Sequence, residues 1–278
     1  MNESIAAVLG LVQGLTEFIP VSSSAHLVLI PELFRWEPAG MAFDTALHFG
    51  TLLALLAFFG RDIAVLLAAF YDSLKEIMTG KKWRQALSAS AERRLAWLVL
   101  LGTLPAAVIG MSFKSTLERL FETPLAAAAF LLITGIMIWY VGSRKYEGSA
   151  DRQVPVSPQI AFFVGLAQAF AMLPGISRSG ATISAGLFLG LDRETAPRFS
   201  FLLAIPAIAG ATLLQLKDLH QLANEAWLPL LIGGIVAAVS GYLAILLVFR
   251  SLQSHKFKYF ACYCWLIGLF MLGRIMWK

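Results

Sequence analysis

Charge is what this sequence has least of. Asp, Glu, Lys and Arg make up 14% of its 278 residues, against about 25% in a soluble globular domain, and the mean hydropathy is +0.74. That shortage excludes an ordinary soluble enzyme, and 58% hydrophobic residues exclude a disordered chain. Alternating apolar and polar positions are also lacking, which excludes an outer-membrane barrel; the apolar residues come in long Leu/Ala/Ile/Val/Phe runs. Cysteine is scarce. Cys262 and Cys264 lie in the apolar run 261–271 with no His or carboxylate beside them, so they read as packing residues rather than as a disulfide or metal pair. The N-terminus carries Glu3 and no basic stretch, so no cleaved signal peptide is expected. The net charge of +5 fits basic residues gathered in cytoplasmic loops better than it fits nucleic-acid binding. What remains is a helical integral membrane protein.

A helix crosses a bilayer with about 20 apolar residues. Six segments meet that length: 43–60, 95–113, 125–143, 199–216, 226–249 and 259–276. Two regions do not. Ser4 to Thr16 is an uncharged run, followed by Glu17-Phe-Ile-Pro-Val-Ser-Ser-Ser-Ala-His26 and a second apolar run to Ile30. Ile160 to Leu173 leads into Pro174-Gly-Ile-Ser-Arg-Ser-Gly180, and then into Ala181 to Leu191. The arms are too short to cross, and lipid does not tolerate such polar centres unless protein buries them or water reaches them. Both regions therefore read as re-entrant helix hairpins.

The two halves echo each other. Gly10-Leu-Val-Gln13 matches Gly165-Leu-Ala-Gln168, each followed by a Pro and a Ser cluster, and Leu104-Pro-Ala-Ala-Val-Ile-Gly110 matches Ile205-Pro-Ala-Ile-Ala-Gly210. Charge then sets the orientation. With 61–94, 143–159, 192–198 and 250–258 in the cytoplasm, fifteen of the 22 basic residues are inside and six outside (Arg35, Lys114, Arg119, Lys217, Arg274 and Lys278), Arg178 being in the second hairpin. Both termini are then extracytoplasmic, and the hairpins enter from opposite sides. The expected fold is an all-α integral membrane protein with six transmembrane helices and two re-entrant hairpins in an inverted-topology repeat. It is one membrane domain spanning 1–278, with repeats of about 1–143 and 156–278.

The hairpin tips hold the chemistry. The first offers Gln13, Glu17, Ser22, Ser23, Ser24 and His26; the second offers Ser177, Arg178, Ser179, Thr182 and Ser184. One reading is a structural Glu17–Arg178 ion pair. The other is an oxyanion site, because the planar fork of Arg178 suits phosphate, hydroxyls flank it, and Gly180 opens a helix whose free N–H groups can face an anion. A phosphatase also needs a nucleophile with an activating base: Ser23 can be the first, and His26 or Glu17 the second. Glu17 and Gln13 offer oxygen ligands of the kind Mg²⁺ or Ca²⁺ takes. An anion site without these groups would suit a secondary transporter or lipid translocase, for which inverted repeats and broken helices are the usual design.

The stretches Gln-Gly-Leu-Thr-Glu-Phe-Ile-Pro-Val-Ser-Ser-Ser-Ala-His (13–26) and Leu-Pro-Gly-Ile-Ser-Arg-Ser-Gly-Ala-Thr-Ile-Ser (173–184) resemble the two signature motifs of the undecaprenyl pyrophosphate phosphatase family, the bacitracin-resistance proteins. The similarity extends to length, to Phe-Ser-Phe-Leu-Leu-Ala-Ile-Pro (199–206) and to the layout of apolar segments. The resemblance implies removal of the terminal phosphate from C55 isoprenyl pyrophosphate, which regenerates the monophosphate carrier lipid for cell-wall synthesis. It also implies a multi-pass protein of the bacterial cytoplasmic (inner) membrane with its active site open to the extracytoplasmic side. By position, Glu17, Ser23, His26 and Arg178 correspond to the catalytic residues; Ser22, Ser24, Ser177, Ser179, Gly180 and Thr182 line the phosphate site; Glu17 and Gln13 are the candidate ligands of a divalent cation. Partners are the polyprenyl pyrophosphate lipid and the membrane, with a homodimer left open and no nucleic acid. Two positions depart from the family pattern. Gln13 stands where many members have Glu, which weakens a charged role there, and Ala25 replaces a common Gly, which matters only if the turn needs a positive φ.

Elsewhere, Asp44 and His48 share a face of the first long span and read chiefly as packed or hydrogen-bonded interior groups, with a supporting role beside the site as the alternative. His220 and His255 fall in loops. Glu118, Arg119 and Glu122 read as an exposed loop, and Arg193 and Arg198 as positive-inside placement.

Overall fold

A computed structural model describes residues 2–37, 40–144, 154–215 and 227–277. Lys145, Arg152, Lys217, His220 and Lys278 lie outside them. Every regular element among the described residues is an α-helix. Six are long and apolar enough to cross a membrane: α3 (Met41–Phe58), α6 (Ala91–Ser112), α8 (Pro124–Ser143), α11 (Thr195–Gln215), α12 (Trp227–Gln253) and α13 (Tyr259–Met276). They are the six spans expected from the apolar runs, with ends shifted by a few residues.

The two polar regions form broken helix pairs, α1 (Glu3–Phe18) with α2 (Ser23–Phe34), and α9 (Pro158–Phe170) with α10 (Arg178–Phe188). Their ends follow local chemistry. Asn2 caps α1 by accepting from the Ile5 amide at 2.8 Å, and Ser157 caps α9, with Pro158 at the first helical position, by accepting from Ile160 at 3.2 Å. Such caps satisfy amides that have no partner inside the helix. Pro20 and Pro174 lie within the two interruptions, where a missing N–H and a restricted preceding residue oppose helix continuation.

Each short first arm lies on a long helix of the other half, α1 on α12 and α9 on α6. Small residues permit this. A Cβ on Gly10 would sit 2.5 Å from the Gly233 carbonyl oxygen, and one on Gly165 would sit 2.2 Å from that of Gly102. Backbones this close are the usual solution in lipid, where helices associate by tight packing rather than by a hydrophobic driving force.

The cytoplasmic assignment 61–94 contains more order than a connecting loop. It holds α4 (Gly60–Met78) and α5 (Trp83–Ser88). The charges at Arg61, Asp62, Asp72, Lys75 and Glu76 keep α4 out of the set of spans, but its inner face is fixed to α6: Trp97 Nε1 donates to Ser73 Oγ at 2.9 Å, and Arg93 pairs with Glu76 at 2.9 Å. The expected loop at Glu118 and Arg119 is likewise helical, within α7 (Lys114–Phe121). Both residues are exposed there, as is Glu122 just beyond it. Arg198 is more than a positive-inside marker, since it forms an ion pair with Asp62, and Arg193 Nη1 donates to the Leu252 carbonyl at 3.0 Å.

Candidate active site

The two helix interruptions meet. At the first, the backbone turns at Ser22, whose φ of 67° lies in the left-handed region where a non-glycine residue is strained. Ser22 is also the N-cap of α2, its Oγ accepting from the Ala25 amide at 3.3 Å. Ser23 thereby becomes the first residue of α2, and its hydroxyl donates to Glu17 Oε2 at 2.5 Å. Ala25 itself is helical and buried, so its departure from glycine costs no backbone strain.

At the second, Gly175 has φ +101°, and a Cβ there would lie 2.3 Å from the Ala127 carbonyl oxygen; only glycine fits. Thr134 of α8 clamps this loop by donating to the Gly175 carbonyl at 2.8 Å and accepting from the Ser177 amide at 3.0 Å. Ser177 caps α10 by accepting from Gly180 N at 3.0 Å, and its hydroxyl lies 3.2 Å from that of Ser179. Thr182 donates to the Arg178 carbonyl at 2.8 Å and hydrogen-bonds Ser200 of α11. Arg178 is the first residue of α10.

Two contacts join the loops. The Gly175 amide donates to Ser24 Oγ at 3.3 Å, and Ser24 is 3.1 Å from Ser22 Oγ. The Arg178 guanidinium pairs with Glu17 Oε1. Glu17 is thus the hub: one oxygen faces Arg178, while the other accepts from Ser23 and from Gln13 Nε2, the latter at 3.0 Å. Its side chain is 5% exposed. A carboxylate this buried is tolerable because a cation and two hydrogen-bond donors compensate it.

His26 stands one turn further along α2. Its Nδ1 is 2.7 Å from the Ser22 carbonyl oxygen, an obligate acceptor, so that nitrogen carries the hydrogen; Nε2 then accepts from the Tyr263 hydroxyl at 2.8 Å. The two rings stack with centroids 5.7 Å apart. Both nitrogens are engaged away from Ser23.

A family model described as the bacitracin resistance protein BacA matches residues 6–270. The chain belongs to this family. Among its curated relatives are proteins named undecaprenyl-diphosphatase. That of Methanosphaera stadtmanae is 43% identical over 265 residues, covering 95% of each chain. Those of Geobacter metallireducens and Moorella thermoacetica are 43% and 40% identical, with 96% of each chain covered in the first case and 98% and 97% in the second.

In this BacA-family chain the residues singled out from the two motifs fall in or beside the paired loops, except Ser184, which is buried further along α10. His48, which the sequence offered as an interior group or as a supporting residue beside the site, has Nδ1 3.2 Å from Gln13 Nε2 and 4.0 Å from Glu17 Oε1. Tyr263, Thr134 and Ser200 were not singled out, although Ser200 lies within the run 199–206. Cys264 is buried near the first break, its thiol 3.7 Å from the Pro20 carbonyl oxygen. Among the described residues no group of three or more His, Cys, Asp or Glu side chains is arranged to hold a metal. Gln13 Oε1, buried beside Glu17, has no hydrogen-bond partner among the described residues.

Proposed function

We propose that the chain is a membrane phosphatase that hydrolyses undecaprenyl (C55 polyprenyl) pyrophosphate to the monophosphate and phosphate, recycling the cell-wall carrier lipid. The observation that carries this reading is the Ser23 hydroxyl on one oxygen of Glu17 with the Arg178 guanidinium on the other. A nucleophile, its base and a phosphate-binding cation share one buried carboxylate. A transporter or lipid translocase could use the arginine, but it has no need of a serine activated by a carboxylate.

In the mechanism, Ser23 Oγ attacks the terminal phosphorus while its proton passes to Glu17 Oε2, and the bond to the bridging oxygen of the lipid monophosphate breaks. Protonation removes the charge that held Arg178 just as charge builds on the phosphoryl oxygens, so the guanidinium transfers its hydrogen bonds to them. The proton on Glu17 passes to the departing lipid monophosphate; the regenerated carboxylate then takes a proton from the water that attacks the phosphoserine and returns it to Ser23 Oγ as the phosphate leaves. The geometry favours Glu17 over His26 as the base, because His26 contacts the Ser22 carbonyl and Tyr263 instead; its part is to hold the Ser22 turn. Ser22, Ser24, Ser177 and Ser179 shape the phosphate cradle, whereas Gly180 and Thr182 support it from behind: the helix opens at Arg178 rather than at Gly180, whose amide is taken by Ser177 Oγ, and Thr182 hydrogen-bonds the Arg178 carbonyl and Ser200.

The reading includes a divalent cation, Mg²⁺ or Ca²⁺. The donor set fits one in the manner of Mg²⁺, which is commonly held by one or two carboxylates plus substrate phosphates and water; Glu17 and the open Oε1 of Gln13 are the protein ligands. When bound, the ion neutralises charge on the pyrophosphate.

The same reading makes both broken pairs re-entrant. Helices α1, α2, α9 and α10 contain 16, 12, 13 and 11 residues, about 24 Å at most at about 1.5 Å per residue, against a hydrocarbon core of about 30 Å. The matched placement of α1 on α12 and α9 on α6 supports an inverted repeat within one domain. The proline echo does not, because Pro105 lies on the second long helix of its half and Pro206 on the first long helix of the other. With the basic segments facing the cytoplasm, the first break opens toward the extracytoplasmic side of the inner membrane.

The test is purified protein with C55 pyrophosphate in detergent or proteoliposomes. Phosphate release that disappears in Ser23→Ala and Glu17→Gln supports the reading. Movement of the intact lipid between leaflets without phosphate release refutes it in favour of translocation.

A further inference from the structure

The geometry points to His48 as a positioning residue for the phosphatase, acting through Gln13 on Glu17. This deepens the proposed function and rests on it.

Gln13 has two amide hydrogens, and two acceptors face its nitrogen: Glu17 Oε2 at 3.0 Å and His48 Nδ1 at 3.2 Å. Because an amide nitrogen only donates, His48 Nδ1 is the acceptor and its ring hydrogen sits on Nε2. If the amide were turned over, Oε1 would meet the Glu17 carboxylate oxygen, acceptor against acceptor. Glu17 therefore fixes one orientation of the Gln13 amide, with an N–H directed at the oxygen receiving the Ser23 proton, and His48 holds the amide in place by taking its second hydrogen. Without His48, one hydrogen of the amide loses its acceptor and Gln13 is tethered only through the group it is meant to hold.

The placement is not explained by packing alone. His48 sits on α3, whereas Gln13 and Glu17 sit on α1, so the contact reaches across a helix–helix boundary. Its side chain is 36% exposed beside a carboxylate that is 5% exposed. A residue serving only to fill the α1–α3 contact would be buried and apolar, like Leu47, which is fully buried in the same helix. The contact also gives Gln13 a role that does not need the charge of a Glu: it supplies a directed N–H to the base.

The experiment measures kcat and KM for phosphate release from C55 pyrophosphate by the full-length protein and by His48→Ala, His48→Asn, Gln13→Ala and the double Ala variant. Asn places its carbonyl oxygen near the position of Nδ1, retaining the acceptor without the ring. Expected is a fall in kcat of about 10- to 100-fold for His48→Ala with KM little changed, as for a slight misplacement of a reacting group. His48→Asn should recover most of that loss, and the double variant should be no worse than the poorer single one. Normal turnover in His48→Ala, an Asn variant as slow as Ala, or losses that multiply in the double variant would each overturn the assignment. So would loss of monodisperse protein in both His48 variants, which would make the residue a fold determinant. Wild-type protein that releases no phosphate refutes the phosphatase reading itself, an outcome distinct from any His48 result obtained on an active wild type.

Discussion

Arg178→Lys separates a phosphate grip from a structural ion pair. At rest the guanidinium lies on Glu17 Oε1, with the arginine side chain 21% exposed and the carboxylate 5%. Lysine keeps the positive charge but loses the planar fork of donors that matches a phosphoryl group. For folding, the change weakens a hydrogen bond to a charged group, worth about 1.5–3 kcal/mol, and leaves the charge opposite Glu17 in place. Arg178→Gln would instead strand the carboxylate and cost about 3–5 kcal/mol. For catalysis, a donor aimed at developing charge contributes about 3–4 kcal/mol, or roughly 100–1000-fold in rate. The Lys variant should therefore extract and melt nearly as wild type while kcat for phosphate release falls by that factor. A Glu17→Gln/Arg178→Gln double variant should regain part of the thermal stability, because two neutral amides can pair, and no activity. Phosphate release and a melting curve on the same preparations decide the matter. A well-folded Arg178→Lys enzyme within a few-fold of wild type would reduce the arginine to a clamp between the hairpins and remove the phosphate cradle from the mechanism.

Ser23→Ala should abolish turnover by about 100-fold or more, with little effect on melting, whereas Ser22→Ala should act mainly on stability, by about 0.5–2 kcal/mol for a lost cap; the reverse pattern in paired kinetic and melting measurements would move the nucleophile to Ser22. Gly175→Ala should destabilise by more than about 1–3 kcal/mol, since the new methyl meets the Ala127 carbonyl oxygen at 2.3 Å in a backbone with φ +101°; an unchanged melting temperature refutes that loop geometry. Single cysteines at Asn2 and Lys81, in a background lacking Cys262 and Cys264, should be labelled from opposite sides of sealed vesicles; labelling from the same side refutes the orientation.

The long spans were legible because lipid demands one property, an unbroken apolar run, that a sequence displays directly. The helix breaks were legible for the opposite reason: Glu17 and Arg178 have no place in lipid unless something compensates them, and Pro20 and Pro174 stop the helices close by. α4 was hidden by its own charges. Ile63, Leu66, Phe70 and Ile77 are more buried than Val65, Leu67, Tyr71 and Met78, so the segment is an amphipathic helix, but its seven-basic-residue surroundings dominate any reading by charge. The site residues outside the two motifs were harder to place for another reason. His48, Thr134, Ser200 and Tyr263 come from four different long helices, and their meeting at the two loops is a tertiary fact with no local signature. The positive φ at the first break is on Ser22, so Ala25, inside α2, has no bearing on the turn.

That last detail exposes a shared grammar in the two motifs. In Ser22-Ser23 and in Ser177-Arg178, the first residue caps a short helix and the second opens it. The caps consume one hydroxyl each, on Ala25 N and on Gly180 N, and in doing so they stop the chain from continuing the preceding arm. The next side chain in each case then meets Glu17, Ser23 on one carboxylate oxygen and Arg178 on the other. The proposed nucleophile and the cation proposed to stabilise its target thus occupy equivalent helix positions on two loops that face each other. The arrangement explains why serines cluster in both motifs although only one is asked to attack: a capping serine must stand immediately before the reactive position, or the reactive side chain has no helix to hold it. It also explains why the cluster tolerates membrane depth. The structural hydroxyls satisfy the backbone at the breaks, and the charged groups satisfy one another until a phosphate takes the place of the carboxylate in front of Arg178.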